Sequence, residues 1–233
     1  MLSFQNVRKD FQLDHATTIT PVNGISLDIY RGDFIIILGR SGTGKTTLLN
    51  LAAGLVKPTS GKVKIEDQDL SEMTDQQLSS LRSQKIGFVF QFPSLLPSLT
   101  VKENLSLPAI FTQRKEVSSR AMMLLEMVGL ADKKDVYPRQ LSVGEQKRIV
   151  LARSLINEPQ LILADEPTSD LDDRTEQEVM GILRELNAKG VTFLIVSHNQ
   201  QLIPFATRAL HMENGKLEDI KAIAQSETNH QVA

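Results

Sequence analysis

The chain has 233 residues, a formal net charge of −2 and no cysteine. That length is enough for one well-packed domain. The composition excludes disulfides and thiolate metal sites, and the charge gives no electrostatic reason to expect nucleic acid.

Short β-strands are expected first. Ile25, Leu27 and Ile29 alternate with polar residues as in a half-buried strand. Gly24 and Gly32 read as turn residues, the latter within Arg31-Gly-Asp33. Phe34 to Leu38 is continuously apolar, as a fully buried strand would be. Gly54 and Pro58 close the helix that follows. Lys62 to Glu66 alternates again, and a short helix begins at Thr74 and runs through Leu78 and Leu81. Ile86 to Phe90 is another buried strand, ending at Gln91. From about 92 to 140 the pattern changes to a helical insert. Prolines 93, 97 and 108 break its early part, and Ala121, Leu124, Leu125 and Val128 have helical spacing before the cap residue Gly129. The methionines near Met122 read as core. Strand 161–164, helix 175–188 and strand 191–196 then alternate, which argues for a parallel sheet with crossover helices. Glu213-Asn-Gly-Lys216 reads as a hairpin turn. Residues 1–221 are expected to form a single domain, with 222–233 a frayed polar tail.

The apolar run 34–38 leads into Gly39-Arg-Ser-Gly-Thr-Gly-Lys-Thr46. Strand, glycine-rich loop and helix in that order make a cradle for the phosphates of a nucleoside triphosphate. Loop amides and the helix N-terminus attract the anion. Lys45 would reach the β- and γ-phosphates, and Thr46 would place its hydroxyl on Mg²⁺. Leu161 to Glu166 is a second apolar strand, ending in Asp165 and Glu166. Neighbouring strand residues face opposite ways, so the two carboxylates have different tasks. One can hold Mg²⁺, the other can orient water for in-line attack on the γ-phosphate. Ser142 and Glu145 form a capping box ahead of a helical run. Taken alone this requires only a well-started helix. Beside a phosphate loop, it offers a second phosphate-binding helix N-terminus, which two copies packed head to tail would use.

The ordered set Gly39–Thr46, Gln91, Leu141–Gln146, Asp165-Glu166, Ser169–Asp172 and His198 resembles the nucleotide-binding subunit of an ATP-binding cassette (ABC) transporter, over residues 1 to 218. The resemblance implies an α/β fold with a P-loop NTPase (RecA-like) core, a parallel sheet, an N-terminal antiparallel β subdomain and an inserted α-helical subdomain. It implies ATP and Mg²⁺ as ligands. Gly39, Arg40, Ser41, Gly42, Thr43, Gly44, Lys45, Thr46 and Thr47 would wrap the nucleotide, with Phe11 stacked on adenine and Tyr30 a weaker rival. Thr46, Gln91 and Asp165 would hold the metal. Glu166 would be the general base or the residue that orients the water, with Gln91, His198 and Lys45 completing the catalytic set. Ser142, Gly144, Glu145 and Asp172 would meet the nucleotide across a dimer seam. Val143 departs from the usual signature glycine and narrows backbone freedom there, and Asp170 stands where alanine is usual. His15, His211 and His230 have no such context.

The same resemblance implies an ATPase subunit paired with a second copy, a homodimer, and bound to membrane-spanning subunits. The stretch Phe92 to Leu99 is the expected contact, with Leu95 as its test position. No apolar run nears the roughly 20 residues that cross a bilayer, and Met1 to Asp10 carry no signal-peptide pattern. The chain is therefore expected in the cytoplasm, peripheral to the membrane through its partner. The stretch between Phe11 and Gly24 and the phrase Asn23 to Ile29 are similar to the macrolide-efflux and lipoprotein-release type, exporters or transducers of force. Two alternatives remain: a soluble, non-transport ABC ATPase, and a regulatory one controlling a cell-wall enzyme through a membrane protein. The single cassette and the absence of a long heptad tract weigh against the first.

Overall fold

The computed structural model describes residues 1–14, 17–112 and 114–220. His15, His230 and the tail 222–233 lie outside them. The chain divides into two compact units, one of residues 1–74 with the segment from Leu194 onward, the other of Asp75–Phe193.

The first unit holds an antiparallel sheet in the order β2-β1-β4-β5, from β1 (Leu2–Gln12), β2 (Thr18–Ile29), β4 (Ser60–Ile65) and β5 (Gln68–Asp69). Its inward residues include Leu2, Phe4, Val7, Ile25, Leu27, Ile29, Val63 and Ile65, all buried. The opening strands are long rather than short. They tolerate that length because the β1–β2 register shifts at several points, and bulges of this kind bend and twist a ladder without ending it. Gly24 sits in one of these shifts, inside β2 with φ +74°, rather than in a turn. It is the extra residue between Asn23, opposite Arg8, and Ile25, opposite Val7.

The same unit carries strands in the order β10-β9-β3-β8, the last from Leu194 onward. β3 (Phe34–Leu38) is buried throughout and pairs in parallel with β9 (Arg208–Glu213). β9 and β10 (Lys216–Asp219) are antiparallel around Asn214 and Gly215, both with positive φ, a hairpin geometry that Asn-Gly favours. β8 (Thr192–Ser197) is buried along its length. Helix α1 (Lys45–Ala52) leaves the loop after β3 and buries Leu48, Leu49 and Leu51.

The second unit contains β6 (Ile86–Val89) paired in parallel with β7 (Leu161–Asp165). Around them are α2 (Asp75–Lys85), α3 (Val101–Ser106), α4 (Val117–Met127), α5 (Val143–Ser154) and α6 (Asp173–Ala188). α4 buries Ala121, Leu124 and Leu125 as its spacing requires, and Gly129 follows it with φ +71°. Met123, by contrast, is 61% exposed. It lies between the inward positions 121 and 124, on the far side of a 3.6-residue period.

Leu95 is buried at 8% exposure, so it belongs to the core and not to a contact surface. The side chain of Asn104, itself fully buried, explains this. Its Oδ1 accepts from the Leu96 N–H at 2.8 Å, and its Nδ2 donates to the Leu96 and Leu99 carbonyls at 3.0 Å each. The stretch is stitched down around one amide, and only Phe92 and Leu96 of its large apolar residues are left exposed. A charge at Leu95 would disturb packing before it disturbed any partner.

Candidate functional site

The expected site residues divide between the two units. In the first, β3 runs into the loop 39–44 and α1 begins at Lys45. The Gly39 N–H donates to the Ser197 carbonyl at 3.2 Å, so the loop and the end of β8 are brought together. His198, the next residue, is exposed beyond that junction. Lys45 is buried. Its Nζ turns back into the loop and donates to the carbonyls of Gly39 at 2.6 Å and Arg40 at 2.9 Å. Thr43 Oγ1 donates to Arg40 O and closes the same turn. Ser41, Gly42 and Thr46 are exposed at its mouth.

Gly44 precedes α1 with φ +103° and offers no side-chain cap. The first amides of α1 therefore keep their donors for an anion. A Cβ at Gly44 would lie 1.9 Å from the Pro21 carbonyl oxygen, so both the backbone angle and the space demand glycine. Gly44→Ala is expected to cost about 2 kcal/mol or more, read as a lower thermal midpoint together with lost nucleotide binding. An unchanged midpoint would contradict it.

Phe11, near the end of β1, is 36% exposed, and the Lys9 ammonium lies 4.8 Å from its ring centroid. One face of the ring thus carries a cation–π contact. Tyr30 is 66% exposed at the end of β2.

In the second unit, Gln91 is exposed just past β6. Ser142 is the N-cap of α5. Its Oγ accepts from the Glu145 N–H at 3.2 Å, and Glu145 Oε2 accepts from the Ser142 N–H at 2.8 Å. That bond to Ser142, helped by Lys133 at 3.2 Å, holds the Glu145 carboxyl below its usual range. Its contribution to stability is present above the unfolded carboxyl pKa, about 4.3, and is lost as pH falls through the lower folded value. Val143 is the first helical residue, is 53% exposed and is absent from the positive-φ positions. The valine is accommodated because helical backbone at that position needs no glycine.

β7 delivers Asp165 and Glu166, 6% and 7% exposed. Glu166 has φ +47° and precedes Pro167. A left-handed angle is sparsely populated by residues with a Cβ, and a following proline restricts its neighbour further. The turn is closed by Ser169, whose N–H and Oγ donate to the Glu166 carbonyl at 3.2 and 3.1 Å. Asp172 caps α6: its carboxylate accepts from the Thr175 N–H at 3.0 Å and from Thr175 Oγ1 at 2.8 Å, and these bonds lower its pKa. Asp170 is exposed with φ +62°.

One residue of this neighbourhood carries no mark in the sequence. Lys147, one turn into α5, is only 6% exposed and donates to the Ser169 carbonyl and Oγ and to the Glu166 carbonyl. A lysine beside a signature motif reads as a solvated surface charge, and no local pattern marks it otherwise.

Among the described residues, no group of three or more His, Cys, Asp or Glu side chains could hold a metal. The candidate donors are instead oxygens of mixed kind: a threonine hydroxyl, a glutamine amide and one buried carboxylate. Taken singly, each is the kind of oxygen donor Mg²⁺ accepts, since this ion usually takes one or two carboxylates plus substrate oxygens.

The ABC transporter family model matches residues 22–169. The ATP-binding protein LolD 1 of the lipoprotein-releasing system of Chlorobium chlorochromatii is 40% identical over 221 residues, covering 93% of this chain and 90% of its own. The macrolide export ATP-binding/permease protein MacB of Aggregatibacter actinomycetemcomitans is 46% identical over 198 residues, covering 83% of this chain but only 30% of that longer protein. The solved dimeric, post-hydrolysis structure of the ATP-binding cassette MJ0796, bound to ADP and Pi, superposes with a TM-score of 0.88 at 37% identity, covering 94% of this chain and 99% of that one. The mixed α/β fold with parallel and antiparallel sheets is that of such cassettes. With its phosphate loop, signature helix and acidic strand end in the family's order, the chain belongs to the ABC transporter family and is one of its ATP-binding, ATP-hydrolysing subunits.

Proposed function

We propose that residues 1–221 work as one cassette that couples ATP-driven dimer closure to a membrane-spanning partner, as an exporter or a transducer of force across the envelope. The observation that carries this reading is Lys45 Nζ, held in the mouth of the phosphate loop by the carbonyls of Gly39 and Arg40. An ammonium placed this way can exchange those carbonyls for phosphate oxygens with little movement. Lys45 and His198 then contact the β- and γ-phosphates. Thr46, Gln91 and Asp165 supply oxygens to Mg²⁺, which screens phosphate charge when bound. Glu166 takes the proton of the attacking water, and Phe11 stacks on the base. Ser142, Gly144, Glu145 and Asp172 face the nucleotide of a second copy.

The working place is the cytoplasmic face of a membrane. No helix among the described residues is long and apolar enough to cross one; in this reading the attachment comes through the partner. A cavity of about 630 Å³ in the second unit supports such docking. Phe88, Phe90 and Phe111 line it together with Arg82 and Arg153, and the Phe88 and Phe90 rings stack at 4.2 Å. Arg153 also fixes the rim, donating to Ser94 O and Oγ at 2.7 and 2.8 Å. An apolar trough with guanidinium edges fits a short amphipathic helix from a membrane subunit. The relatives named for lipoprotein release and macrolide export favour the envelope reading over a soluble one.

Sedimentation tests the dimer. With Mg²⁺ and a non-hydrolysable ATP analogue the wild-type chain is expected to sediment as a dimer. Ser142→Arg is expected to stay monomeric while binding the analogue. A wild type that remains monomeric in excess analogue, or a Ser142→Arg chain that still pairs, would count against the head-to-tail arrangement.

A further inference from the structure

We propose that Lys147 is a positioning residue for the Glu166 carboxylate, acting through the turn 166–169. The inference rests on the reading of Glu166 as the base. A buried lysine amine is costly to keep charged unless the surroundings pay it back in hydrogen bonds. Here they do: Nζ donates to Ser169 Oγ at 2.8 Å, to the Ser169 carbonyl, and to the Glu166 carbonyl at 3.5 Å. These acceptors belong to the segment that holds Glu166 at φ +47°.

Within that turn, the Ser169 N–H and Oγ both donate to the Glu166 carbonyl. Lys147 ties it to α5, a twelve-residue helix whose interior face, Ile149 to Ala152, is buried. A strained backbone persists only where surrounding structure over-determines it. The ammonium supplies that constraint, and it does so at the residue whose side chain must be aimed. Burial lowers the pKa of Lys147, while Asp170 and Glu166 favour its charge. The same helix begins at Ser142, so the strut also sets the Glu166 turn in register with the signature.

The test is steady-state turnover and equilibrium ATP binding in the full chain. Lys147→Met is expected to lower kcat at least tenfold, with the ATP Kd within twofold of wild type. Lys147→Arg, which keeps charge and donors, is expected to recover kcat to within threefold. Ser169→Ala removes one of the acceptors and is expected to lower kcat about threefold. Added to Lys147→Met, it should lower kcat by less than it does alone, because the shared Lys147–Ser169 bond is already gone and only the Ser169 Oγ bond to the Glu166 carbonyl is still lost. Lys147→Met turnover within twofold of wild type, kcat and affinity falling in proportion, or an arginine variant as slow as the methionine one would each overturn the proposal. Should Lys147→Met not fold, the other two single variants decide: normal turnover in Ser169→Ala, or failure of folded Lys147→Arg, sinks it. A parallel Glu166→Gln chain separates the two readings. If that chain turns over normally, the base assignment is wrong. If it is inactive beside a fully active Lys147→Met, only the strut is wrong.

Discussion

Glu166→Gln is expected to lower ATP turnover by about 10²- to 10⁴-fold, the range that a positioned general base contributes. The substitution keeps the shape of a side chain that is 7% exposed. It leaves the Ser169 and Lys147 bonds intact, since those go to the Glu166 main-chain carbonyl. Fold and nucleotide affinity should therefore hold while the proton acceptor is gone. With hydrolysis blocked, ATP and Mg²⁺ should trap a dimer visible by size-exclusion chromatography. Turnover near wild type would remove Glu166 from the base role. Inactivity with weakened ATP binding would point instead to a distorted strand end.

Lys45→Ala is expected to weaken ATP binding about 100-fold, from the loss of close to 3 kcal/mol of charge-assisted hydrogen bonding to phosphate. The lysine does not have to be recruited, because its Nζ already sits against Gly39 O and Arg40 O. Most of its contribution should appear as affinity rather than as a conformational cost. Equilibrium titration with a fluorescent ATP analogue reads this directly. Undiminished affinity would contradict the role. Retained affinity with lost turnover would reassign Lys45 to the transition state alone.

The legible features share one property: their cause is contiguous. The all-buried strand at 34–38, the glycine loop, the start of α1, the Ser142–Glu145 box and the Asn214-Gly215 hairpin each depend on residues a few positions apart. Backbone preference and short-range hydrogen bonding write such features into the chain directly. Gly24 shows where that limit lies. The glycine reads as a turn residue, but whether it makes a turn or a bulge depends on the β1 residues opposite, 16 or more positions away. Leu95 shows it again, because an apolar side chain in a proline-broken stretch has the same local pattern whether it meets a partner or a core.

By itself the sequence determined the phosphate cradle, the order of the motifs and hence the family, because glycine spacing and strand-to-helix succession are local chemistry. Only the tertiary structure decided that Asn104 gathers the 92–99 stretch around its amide, that Glu166 turns through a left-handed angle, and that Lys147 is drawn inside to hold the turn. The physical reason is distance along the chain. Burial and backbone strain are set by whichever residues packing brings alongside, and for Lys147 these lie 19 and 22 positions away.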